Sequence, residues 1–115
     1  MNSHKYKKFS GLIENDIQVN RYHFSVQTPH IYGFHNECLI VIPFAGKTTS
    51  SNFWISSFVM FDVVLFNAND EPIESLEIDL RDIDEWHGLK HLYLKNFKLS
   101  CEYLNIKKVI ISERF

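Results

Sequence analysis

A chain of 115 residues with 45% apolar and 15% aromatic residues is too rich in core formers for a disordered segment, and its length fits one domain spanning residues 1–115. The formal net charge of −2 argues against a general nucleic-acid binder, for which a basic excess is the usual footprint. That total hides a segregation of +3 over residues 1–8, −1 over 9–61, −8 over 62–85 and +4 over 86–115, so the chain is a charge dipole along its sequence.

Whether it is also a dipole in space depends on whether the acidic and basic runs fall on neighbouring strands, where they would partly neutralise each other. The abundance of Ile, Asn, Lys and Phe over Arg, Gly, Pro and Ala suggests an AT-rich coding sequence. Cys38 and Cys101 sit in apolar contexts with no C-x-x-C pairing, which reads as reduced core thiols.

In chain order, Lys5 to Gly11 reads as a short edge strand whose lysines discourage edge pairing, or as a loose tail. The charge at Glu14 interrupts the start before an apolar signal region forms, and a cytoplasmic location is expected. Apolar residues alternate at Ile17 and Val19, then out of phase at Tyr22, Phe24 and Val26, which predicts one strand with a bulge near Asn20. Pro29 ends it, and Ile31 to Phe34 forms another short strand. Cys38 to Phe44 is continuously apolar and rich in β-branched residues, a central strand closed off at Pro43.

The polar loop Ala45 to Asn52 contains a Gly-Lys-Thr triplet, but Val41 stands where a phosphate-binding loop needs its first glycine. Phe53 to Phe66 is apolar at both odd and even positions and mainly aromatic or β-branched, which predicts a long strand buried on both faces. Asn67 to Pro72 is a turn by chemistry. Leu76, Ile78 and Leu80 then alternate with Glu77, Asp79 and Arg81, the clearest period of two in the chain, so this arm has one face in a core and an acidic face in water. Asp82 to Gly88 reads as a helical turn or wide loop. Three short strands are expected to follow at Leu89–Leu94, Phe97–Tyr103 and Ile106–Ser112.

The sum is a mainly β fold, an antiparallel sandwich or strongly curved sheet of seven or eight strands with at most one short helix. No helix of four turns is recognisable. No linker, internal repeat or low-complexity tract divides the chain.

Candidate chemistry is sparse. His87 and His91 are four apart, a metal-ligand spacing on a helix, but Gly88 between them weakens that helix. His23, His30 and His35 crowd the first third and offer acid–base groups if they converge. These features support an alternative reading as a small histidine- or metal-dependent enzyme of hydrolase or nuclease type. No nucleophile elbow, dinucleotide fingerprint or calcium loop is present, so neither a catalytic residue, a metal ligand nor a cofactor is assigned. The lysines of the C-terminal third alternate with aromatics that belong to the core, so no nucleic-acid surface is expected, and no membrane span.

The acidic band is denser than solvation requires. Asp70, Glu71, Glu74, Glu77, Asp79, Asp82, Asp84 and Glu85 repel one another, a cost that a cationic partner would relieve, and Trp86 beside them is a natural interface anchor. In length, residue choice, lack of a catalytic motif, β-rich pattern and the acidic segment Asp70 to Glu85, the chain resembles small bacterial immunity proteins of the contact-dependent-inhibition and polymorphic-toxin kind. That resemblance implies a cytoplasmic inhibitor that binds a basic toxin domain, such as a nuclease, through its acidic surface. Glu77, Asp79, Asp82, Asp84, Glu85 and Trp86 are the expected partner-binding residues.

Overall fold

A computed structural model of the chain describes residues 5–16, 24–46, 60–80, 85–87 and 92–114. Among these the fold is mainly β, with ten strands and a single 3-10 turn at Tyr103–Asn105. Eight strands are three residues or longer: β2 Leu12–Asp16, β3 Phe24–Val26, β4 His30–Phe34, β5 Glu37–Gly46, β6 Met60–Phe66, β7 Pro72–Asp79, β9 Leu92–Lys98 and β10 Lys108–Arg114. The remaining two, β1 Lys7–Lys8 and β8 Trp86–His87, are two-residue edge pieces. No helix among the described residues is long and apolar enough to cross a membrane.

Two sheets form. In the first the order is β1-β4-β5-β9-β8, with β3 also paired to β5, and every pairing is antiparallel. In the second the order is β2-β10-β6-β7, antiparallel except for the parallel β2/β10 pair. The inner faces of both sheets feed one core: Ile31, Cys38, Ile40, Ile42 and Tyr93 from the first, Phe61, Val63, Leu65, Ile78, Val109 and Ile111 from the second. A sandwich is therefore the architecture, and each such fully buried side chain contributes about 1.5–3 kcal/mol of burial free energy.

The central position of β5 follows from its sequence. Cys38, Ile40, Ile42 and Phe44 point into the core while Leu39, Val41 and Pro43 stay half-buried on the other face. The strand does not stop at Pro43 as expected. The β9 register ends there, at Pro43 opposite Leu92, while on the other side β4 ends opposite Val41 and β3 begins opposite Phe44. Pro43 thus lies where the neighbours change, a position at which a missing N–H is tolerated, and its carbonyl accepts from the Gln27 N–H at 2.9 Å.

Elsewhere two expectations are extended and one changes. Leu12–Asp16 is a strand of the second sheet, whereas Phe24–Val26 belongs to the first; Asn20, the proposed bulge, lies outside the described residues. The N-terminal run is an edge strand in both sheets in turn, crossing between them at Phe9, which is buried and donates its N–H to the Ile31 carbonyl. Finally, the described residues from Leu92 to Arg114 hold two strands where the sequence suggests three. Leu92–Lys98 runs through the expected break because Tyr93, Leu94 and Phe97 pair with Ile42, Val41 and Cys38 of β5. Leu99 to Lys107 is the crossover that closes the end of the sandwich, and its period-two residues Leu99 and Tyr103 are buried in that role.

The 67–72 turn forms as its chemistry predicts. The Asn67 carboxamide oxygen accepts the N–H groups of Asn69 and Glu71 at 2.9 and 3.0 Å, and Asp70 takes the left-handed conformation with φ 64°, which Asp tolerates better than most residues.

Candidate functional site

Strand pairing determines which side chains share the outer face of the second sheet, because register partners point the same way. One row across the four strands reads Asp16, Ser112, Asp62, Glu77. The row on one side reads Glu14, Ile110, Val64, Ser75, and on the other Arg114, Met60, Asp79. Beyond Glu14 lies Leu12 beside Lys108 and Phe66, and Leu12 is 55% exposed. Five carboxylates therefore gather around a half-buried aliphatic centre of Ile110 and Val64.

Asp62 and Glu77 are directly opposite, a repulsive arrangement on its own. Arg114 resolves it. Its Nε donates to Asp62 Oδ2 at 3.1 Å, one Nη donates to Asp62 Oδ1 and, at 2.7 Å, to Glu77 Oε1. The hydrogen bonds to Asp62, and then to Glu77, hold the guanidinium still further above its ordinary ionisation range. Lys108, whose amine lies 4.6 Å over the Phe66 ring and 2.5 Å from Asp70 Oδ1, neutralises the hairpin end of the same face.

The expected partner-binding residues divide as follows. Glu77 is exposed on this face, and Asp79 is half-buried in the next row. Asp82 and Asp84 lie outside the described residues. Glu85 is half-buried, and Trp86 opens β8 opposite Tyr93, on the edge of the first sheet. The two edges meet through Tyr93, whose hydroxyl donates to the Asp79 carbonyl at 3.2 Å. Glu77, Asp79, Glu85 and Trp86 thus belong to the same flank of the sandwich.

Two assignments from sequence are corrected. Asp62 reads as part of a buried arm, but its position on β6 sends it to the outer face, half-exposed, while its neighbours Phe61 and Val63 enter the core. Glu74 reads as one of the repelling band, but it stands at the inner position opposite Leu65, where its carboxylate accepts the Ser100 N–H at 3.0 Å and the Ser100 hydroxyl. Glu14, Asp16 and Arg114 were not recognisable as site residues, because their place depends on β10 lying between β2 and β6.

Elsewhere, burial pushes the Cys38 thiol up to about 12 and also raises Cys101, with Glu74 adding to the latter; both are free thiols, and a protonated buried thiol is inert. Glu37 is drawn below the usual carboxylate range by hydrogen bonds from Tyr6 at 3.0 Å and Lys98 at 3.3 Å. This pins the N-terminal segment to β5. His30 opens β4 and His35 follows its last residue, in the turn before β5, roughly 15 Å along the chain, and the two do not form a pair. His23 and His91 lie outside the described residues, as does the His87 side chain. Among the described residues no group of three or more His, Cys, Asp or Glu side chains is arranged to hold a metal ion.

Comparison of the chain with protein-family models, with curated proteins and with solved structures finds no match in any of the three.

Proposed function

We propose that this protein is an immunity-type inhibitor that captures a basic protein partner, such as a toxin nuclease domain, on the outer face of its second sheet. The observation that carries this reading is the carboxylate row Asp16, Asp62 and Glu77 on adjacent strands, flanked by Glu14 and Asp79 and answered within the rows by Arg114 alone. Such a cluster costs folding free energy through mutual repulsion and gives it back when a cationic surface docks. The half-exposed Ile110 and Val64 between the charges supply the apolar centre that interfaces of this kind bury. Under this reading the protein works in a bacterial cytoplasm, where its free thiols stay reduced, and Glu85 and Trp86, at the neighbouring edge of the first sheet, extend the contact.

The test is association with the product of the neighbouring reading frame, which the proposal requires to carry a cationic domain, followed by stopped flow over a range of salt. Reversing the two exposed carboxylates of the central row together, Asp16→Lys with Glu77→Lys, is expected to slow association at least tenfold at low salt and flatten its salt dependence. Circular dichroism and the melting temperature are expected to stay near wild type. Unchanged association by the double variant sinks the proposal.

A further inference from the structure

The crossover Leu99 to Lys107 closes the sandwich against the N-terminal segment and leaves between them a cleft of about 130 Å³ whose walls include Lys7, Lys8, Ser10 and Lys107, with the rings of Phe9 and Tyr103 at its base. Among the described residues no carboxylate lines it. A second cleft of about 120 Å³ on the other side of Tyr103 is different, because Glu102 stands in its wall.

The three lysines are unlike the other cations among the described residues. Lys98 is paired with Glu37, Lys108 with Asp70 and Arg114 with Asp62 and Glu77, while Lys5 lies over the Phe34 ring. Among the described residues, the amines of Lys7, Lys8 and Lys107 have no such partner. Lys7 and Lys107 border the concavity, and Lys8, whose side chain leaves the opposite face of β1 from that of Lys7, adds a third positive charge beside it.

The walls are also held in place. The Tyr103 hydroxyl donates to the Lys7 carbonyl at 2.8 Å, and the Leu12 N–H donates to the Lys107 carbonyl at 3.3 Å. Gly11 passes so close to that carbonyl that a Cβ there would come within 2.3 Å of it. The backbones that carry the lysines are therefore preorganised, which lowers the cost of ordering them around a ligand.

We propose that this cleft is a binding site for a phosphate group, with Lys7 and Lys107 supplying charge-assisted hydrogen bonds, Ser10 a hydroxyl donor and Lys8 a further positive charge beside it. Its volume is below the roughly 300 Å³ at which pockets begin to enclose a drug-sized molecule. It takes one oxyanion group, with the rest of any larger ligand outside, against the exposed Leu104. The site lies apart from the acidic face and does not depend on it.

The experiment is a calorimetric titration of the full chain with inorganic phosphate at constant ionic strength, balanced with sodium chloride. A saturable one-site isotherm is expected, weakened about tenfold by Lys7→Ala or Lys107→Ala and lost in the double variant, with Lys95→Ala behaving as wild type. A short oligothymidylate and phosphatidylglycerol vesicles, each competed with phosphate, identify whether the natural source is a nucleic-acid backbone, a lipid headgroup or, if neither competes, a small phosphate compound. A flat or non-saturating titration, or a double variant that binds like wild type, overturns the proposal. Vesicle or oligonucleotide binding that phosphate does not displace overturns it as well.

Discussion

Arg114 meets two carboxylates that a β-sheet would otherwise set face to face with nothing between them. Its side chain and that of Asp62 are each about one-third exposed, at 37% and 32%, and that of Glu77 more so at 59%, so solvent screens the interaction. Arg114→Ala is therefore expected to lower the melting temperature by only a few degrees, and most of that loss should come from the unrelieved repulsion between Asp62 and Glu77. A double-mutant cycle with Glu77→Gln separates the two contributions: if repulsion dominates, the arginine deletion costs clearly less in the Gln background. Equal losses in both backgrounds would show that the arginine does nothing for that pair. The acidic half of this arrangement was legible in sequence from the alternation of Leu76, Ile78 and Leu80 with Glu77 and Asp79. The basic half was not, because Arg114 is 52 residues from Asp62, and no local pattern carries a pairing of that range.

At the scale of elements, the strands were readable wherever the apolar pattern matched the faces they bury: β5, paired on both sides, from its continuous apolar run, and β7, at the edge of the second sheet, from its period of two. They were misread wherever apolar alternation had another cause. Leu99 and Tyr103 alternate like a strand, yet they are the buried side of a crossover, because the Tyr103 N–H is taken by the His35 carbonyl at 2.7 Å and its hydroxyl by Lys7. What the crossover needs in return is a neighbour without a side chain. Gly33 of β4 supplies it: a Cβ at that position would come within 2.1 Å of the Tyr103 ring, and the ring, hydrogen-bonded at both ends of its residue, has no free rotamer to retreat to. Gly33→Ala is expected to cost about 2–3 kcal/mol in denaturant unfolding. In a Tyr103→Ala background the same glycine change should become nearly neutral, since the clash is gone. If Gly33→Ala costs the same in both backgrounds, the ring is not what the glycine accommodates.

For the whole molecule, the question is how far the charge separation along the sequence survives in space. Strand β10 answers it, because it carries the basic C-terminal run into the middle of the second sheet, between β2 and β6. Lys108 and Arg114 are spent on Asp70, Asp62 and Glu77, while Lys107, just ahead of the strand, joins Lys7 and Lys8 at the cleft. Lys107 and Ser112 are five positions apart on an extended chain, roughly 16 Å, and that distance separates the basic cleft from the row Asp16, Asp62 and Glu77, with Glu14 nearer at about 10 Å. Both distances exceed the Debye length of about 8 Å at physiological ionic strength but not the roughly 30 Å at 0.01 M. Removing the cleft charges with Lys8→Ala and Lys107→Ala should therefore leave association with a cationic partner within about twofold of wild type at 0.15 M salt. At 0.01 M the same variant should associate measurably faster, since two repelling charges then fall within range. A variant whose rate relative to wild type is the same at both salt concentrations would mean that the two regions do not act as separate poles, and that the acidic face does not steer the encounter.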